Sequence, residues 1–134
     1  MASWIIRKPC RGEMARVNRG KYYHYGICIS PDRLIHFATA GGDGFDDPSS
    51  AIVCETSLSD FARGSFVETL ELTREERKFT FPADKTAKRA AGALGETGYD
   101  VLSNNCHHFA NRCLYGNDNG PEVKLRNFWG TLKK

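Results

Sequence analysis

Residues 22–30, YYHYGICIS, restrict the fold more than any other stretch of the chain. Tyr23, Tyr25, Ile27 and Ile29 fall on one side and His24, Gly26 and Cys28 on the other. A two-residue period rich in aromatic and β-branched residues is the signature of a strand with two different faces. Ser30-Pro31-Asp32-Arg33 is turn chemistry, and residues 34–38 (LIHFA) resume an extended apolar run, so the two segments read as a β-hairpin. Residues 51–54 and 65–72 read as further strands bracketing a short helical turn, capped at Ser57 or Ser59 and stopped by Gly64. Between them, residues 41–50 (GGDGFDDPSS) read as a flexible acidic loop whose Asp43, Asp46 and Asp47 are solvated. They lack the spacing and terminal Glu of a calcium loop.

The second half of the chain changes character. From Asp84 to about Leu94 it is built of Ala, Lys, Arg and Leu, good helix formers, with Gly95 as terminator. A second helix is expected after Asn104 or Asn105 as N-cap. Cys106, Phe109, Ala110, Cys113 and Leu114 recur at i, i+3, i+4, i+7 and i+8, one apolar stripe ending at Gly116. Strands first and helices later indicate an α+β protein, an antiparallel sheet packed against a helix that carries Cys106 at its N-terminus.

The 134 residues, 40% of them hydrophobic with 13 glycines, match one ordinary globular domain over 1–134. Such a length supports a core without disulfides or metal. No apolar stretch approaches the roughly 20 residues that cross a bilayer, and MASWIIRKPC lacks a signal-peptide core, so a cytosolic protein without a transmembrane anchor is expected. Five cysteines, an odd number without CxxC spacing, read as free thiols. The net charge of +3 is too mild to announce nucleic-acid binding, but it is unevenly spread. Residues 1–21 are basic, with Arg7, Lys8 and Arg11 among six cations, and residues 42–72 are acidic. The tail, residues 117–134, sets Phe128 and Trp129 among Lys124, Arg126, Lys133 and Lys134. Interleaved aromatic and basic residues can stack bases, hold phosphates or lie on a membrane surface, or simply seal the core edge. RNA or a phospholipid surface is the partner this allows.

A thiol in the first turn of a helix meets unpaired N–H groups and the positive end of the macrodipole, which favour the nucleophilic thiolate. Cys106 occupies that position, although a small buried hydrophobe would fit it too. His24, beside the side-chain-free Gly26, has room for a helix terminus to approach and could take the thiol proton, with His36 as the group that orients its ring. A plain two-residue turn at Pro31-Asp32 would send the two imidazoles to opposite faces. The reading adopted is a three-residue connection, residues 29–31, with Cys28 opposite Asp32 and His24 opposite His36. Metal binding by Cys106, His107 and His108 is rejected, because consecutive helical residues point about 100° apart.

Tyr22-Tyr23-His24-Tyr25-Gly26-Ile27, the following Leu34-Ile35-His36 and Asn104-Asn105-Cys106-His107-His108-Phe109 resemble the H-box and NC motif of the lecithin:retinol acyltransferase-like superfamily. Residues 12–17 resemble its opening strand, 51–67 its middle segment and 112–116 the end of its cysteine helix, so about residues 12–116 are covered. The resemblance implies a permuted papain-like fold with Cys106 as nucleophile, His24 as general base and His36 as the orienting third member. It also implies acyl transfer from phospholipid through a thioester, with no cofactor. His107 standing where cellular members carry an acid, the tyrosine-rich H-box, the compact size and a chain end without an apolar anchor are more similar to the H-box/NC class of picornavirus 2A protein. That class consists of non-proteases that support viral RNA replication and host interaction. The expectation is therefore a viral accessory protein in host cytoplasm, with an active cellular-type acyltransferase/phospholipase, or an RNA-binding module on a degenerate site, as alternatives.

Overall fold

The computed structural model describes residues 2–121. Its frame is a six-stranded antiparallel sheet in the order β1-β6-β2-β3-β4-β5. The strands are β1 Ser3–Ile6, β2 Met14–Asn18, β3 Tyr23–Ser30, β4 Arg33–Ala38, β5 Ile52–Ser57 and β6 Val67–Glu71. The helices are α1 Leu58–Ala62, α2 Ala83–Gly92 and α3 Cys106–Tyr115, with single 3-10 turns at Pro48–Ser50 and Glu76–Phe79. The α+β class is as expected.

Each face of the sheet buries one half of the strand alternation. Met14, Ile27, Ile35, Phe37 and Val53 face the Phe109, Ala110, Cys113 and Leu114 stripe of α3. On the reverse face Ala15, Val17, Cys28 and Leu34 pack around Phe61 of α1. Each fully buried Leu, Ile, Val or Phe contributes about 1.5–3 kcal/mol relative to an exposed one, so both layers matter to stability. Gly26 exists for the second layer: a Cβ there would lie 2.9 Å from the Phe61 ring.

Local signals place most elements well. Ser57 caps α1, accepting from the Asp60 N–H, and Arg63 ends it in the left-handed conformation at φ 50, one residue before the expected Gly64. Asn105 caps α3 in a capping box, its Oδ1 accepting from His107 and His108 N–H while His108 Nδ1 accepts from the Asn105 N–H. Gly116 ends the helix at φ 85. The short edge strand β1 was not anticipated.

The hairpin register differs from the expected one. Pro31 and Asp32 form a tight two-residue connection between the paired Ser30 and Arg33, with Asp32 at φ 64. A bulge between Cys28 and Ser30 then shifts the ladder by one, so Cys28 faces Leu34 rather than Asp32 and Ile27 faces Ile35. In that register His24 and His36 share a face, as required, but stand diagonally instead of directly opposite. The unpaired residue does the work assigned to a longer loop.

Candidate active site

Pairing between β3 and β4 stops at Ile27 and Ile35. Both strands continue, held by their outer neighbours: β2 pairs with β3 out to Tyr23, and β5 with β4 out to Ala38. The interrupted ladder leaves an opening between the start of β3 and the end of β4. His24 and His36 bridge it, His24 Nε2 lying 2.8 Å from His36 Nδ1. Both rings are buried, at 0% and 7% exposure, and Phe61 lies beneath them with centroids at 5.4 and 5.9 Å.

The helix α3 brings Cys106 to the same opening. The thiol is buried, and a backbone hydrogen bond from Tyr25 reaches its sulfur. Tyr25 directly follows His24, so the sulfur is set against the peptide unit joining them. On the outer side His107 stacks on Tyr25, centroids 3.9 Å apart and planes at 7°. His24 Nδ1 is buried and finds no hydrogen-bond partner among the described residues.

Burial dominates the electrostatics. It pushes the Cys106 thiol up to about 11, aided by the charge of Asp43 and opposed by backbone N–H groups of Tyr25, His107 and Cys106. The expected preference of the helix terminus for thiolate is present but outweighed. Burial also pushes His24 down to about 3, with His36 acting in the same direction, and His36 down to about 4. At rest the thiol and both imidazoles are neutral.

Asp43, expected to be solvated, is the chief surprise. A turn closed by mutual hydrogen bonds between Thr39 and Gly42 drives it inward, where its side chain is 1% exposed. Gly44, at φ +102, lets the loop press on Tyr99: a Cβ would meet that ring at 2.6 Å. The Asp43 carboxylate accepts from Arg19 Nε at 2.8 Å and the Tyr22 hydroxyl at 2.6 Å, and stands 3.3 Å from Arg63 and 3.6 Å from His24 Nε2. Burial alone would raise this carboxyl, yet hydrogen bonds from Arg19 and Tyr22, together with the His24 ring, bring it below its usual value. Spacing among acids could not have found it. The double glycine ahead of Asp43 was the available signal.

The basic residues proposed for an RNA or membrane surface fall into two groups. Arg7 pairs with Glu13 and Glu71, Lys8 with Asp32, and Arg11 with Asp84, so each cation faces a carboxylate. Lys124, Arg126, Trp129, Lys133 and Lys134 lie outside the described residues. Among the described residues no helix is long and apolar enough to cross a membrane.

The chain is 27% identical to rat lecithin retinol acyltransferase over 89% of its own length and 60% of the rat protein. It is 27% identical to human phospholipase A and acyltransferase 2, covering 87% of this chain and 76% of that protein. With human phospholipase A and acyltransferase 3 the figures are 28%, 89% and 78%. The chain thus spans about three-fifths of the length of the lecithin retinol acyltransferases it matches. These relatives back the acyltransferase alternative better than the first expectation, a viral accessory protein, whose viral class they do not show. The likeness runs through strands, hairpin and cysteine helix alike, residues 7–119, despite the departure at His107. The family model described as lecithin retinol acyltransferase matches residues 7–119, and the chain belongs to that family.

Proposed function

We propose that the chain is a thiol acyltransferase or phospholipase acting on glycerophospholipid esters, on a permuted papain-like scaffold in which the base precedes the nucleophile. The observation that carries this reading is the His24 ring, whose Nδ1 is buried and unpartnered while its Nε2 is held by His36, with the buried Cys106 thiol reached by the backbone N–H of the next residue, Tyr25. A lone pair kept dry and unengaged beside a thiol is what a general base needs.

Since the resting pair is neutral, proton transfer accompanies attack. His24 Nδ1 takes the thiol proton as the sulfur adds to the ester carbonyl. Collapse of the tetrahedral adduct breaks the carbon–oxygen bond, and the imidazolium returns its proton to the leaving lysophospholipid oxygen, leaving an acyl thioester on Cys106. Water, an amine or an alcohol, deprotonated by His24, then displaces the acyl group and restores the thiol. Of the first-turn N–H groups, those of His107 and His108 are bound by Asn105 Oδ1, so the Cys106 N–H is the donor available to the oxyanion.

Incubation with phosphatidylcholine in mixed micelles, followed by quenching in acid and peptide mass spectrometry, should show one acyl group on the Cys106 peptide. Cys106→Ala should abolish both the adduct and fatty-acid release. Release that persists in that variant, or an adduct confined to another cysteine, refutes the reading.

A further inference from the structure

We infer that Asp43 is a positioning residue for the acyl-transfer site, fixing the proton of His24 on Nε2 so that Nδ1 faces Cys106 as a bare lone pair. This rests on the reading of His24 as the base and adds a role for a residue outside the two motifs.

The hydrogen bond between the two histidines can be made in two ways. Either His24 Nε2–H donates to His36 Nδ1, or His36 Nδ1–H donates to His24 Nε2. The two rings alone do not choose. Asp43 Oδ1 does, standing 3.6 Å from the same Nε2. In the second arrangement a nitrogen lone pair would face a buried carboxylate. The Nδ1–H would also point into a space with no oxygen or nitrogen acceptor among the described residues. In the first arrangement Nε2 carries a hydrogen, donated to His36 Nδ1, so the nearby carboxylate meets the positive end of an N–H dipole rather than a lone pair, and Nδ1 is left free to accept a proton. A carboxylate acting through an imidazole N–H to set tautomer and orientation is an established physical device.

The surroundings of the ring make this choice consequential. His24 is faced by His36 from β4, Phe61 from α1, and a cluster in which Arg19, Arg63 and Tyr22 surround Asp43. Two cations against one anion is an unfriendly setting for an imidazolium. Asp43 is the negative charge in that cluster, so it also offsets the charge that appears on His24 during attack. Arg19 holds the carboxylate in place and is itself anchored to the Phe61 and Ala62 carbonyls at the end of α1, at 2.7 and 3.4 Å.

The test uses histidine nitrogen NMR on the intact protein together with phosphatidylcholine hydrolysis in mixed micelles. The wild-type spectrum should show His24 protonated at Nε2 and bare at Nδ1. Asp43→Asn, nearly isosteric, should lower kcat by about ten- to a hundredfold with little change in KM, and the His24 signals should move toward the other tautomer. A wild-type His24 protonated at Nδ1 overturns the inference without any variant, including one that fails to fold. So does a folded Asp43→Asn protein with unchanged kcat and tautomer. If instead Cys106→Ala retains hydrolysis, the acyl-transfer reading fails while the tautomer measurement still stands or falls on its own.

Discussion

Acid should unfold this protein through its histidine pair well before its carboxylates titrate. His24 and His36 are held neutral in the folded protein, pushed down to about 3 and about 4, chiefly by burial. In the unfolded chain each returns to about 6.5. Below that value the unfolded state binds two protons that the folded state refuses, so stability is present above pH 6.5 and is lost as pH falls toward the folded values. One pKa unit corresponds to about 1.4 kcal/mol, so at pH 5 each histidine costs about 2 kcal/mol and the pair about 4, a large share of a total of about 5–15 kcal/mol. His107 is also lowered, to about 4 by desolvation, but the residue is exposed and its share is discounted as screened. Asp43 and Glu13 are lowered carboxylates whose contributions fade only at still lower pH, leaving a clear window between pH 6.5 and 5. Urea titrations across this window should give a slope near 2.7 kcal/mol per pH unit at its acid end, approaching two protons taken up on unfolding. His36→Asn should reduce it to about one. A slope below one proton in the wild type would refute the burial argument.

The same burial predicts that alkylation of Cys106 by iodoacetamide rises about tenfold per pH unit from pH 7 to 9 as thiolate becomes available; a plateau across that range would mean a preformed ion pair. Asn105→Ala removes the acceptor for two N–H groups at the start of α3 and should cost about 1–2 kcal/mol in denaturant titrations, with loss of turnover as Cys106 loses its fixed position. An unchanged unfolding midpoint would contradict the capping account.

The positions of His24, His36 and Cys106 were legible in the sequence because each sits in a pattern with its own local cause. His24 lies on an alternating strand, His36 on the apolar run that follows the turn, and Cys106 opens an amphipathic helix behind an asparagine cap. The hairpin connection was misjudged because a bulge leaves no mark in residue type: Ile29 looks like any strand residue, and only the ladder shows that it is skipped. Asp43 was misjudged because burial of a carboxylate depends on partners 21 and 24 positions away, Tyr22 and Arg19, which no local window contains. The edge strand β1 escaped for a similar reason, its partner β6 lying more than sixty residues further on.

The two imidazoles belong to one hairpin and are separated by 12 positions, whereas the thiol arrives on a helix at the far end of the sheet-forming region. Loop-closure entropy grows with the length of chain that must be drawn together, so the hairpin closes more cheaply than α3 docks onto its two strands. The meeting of thiol and imidazoles is therefore completed late as this polypeptide folds, and undone as soon as the helix lifts from the sheet.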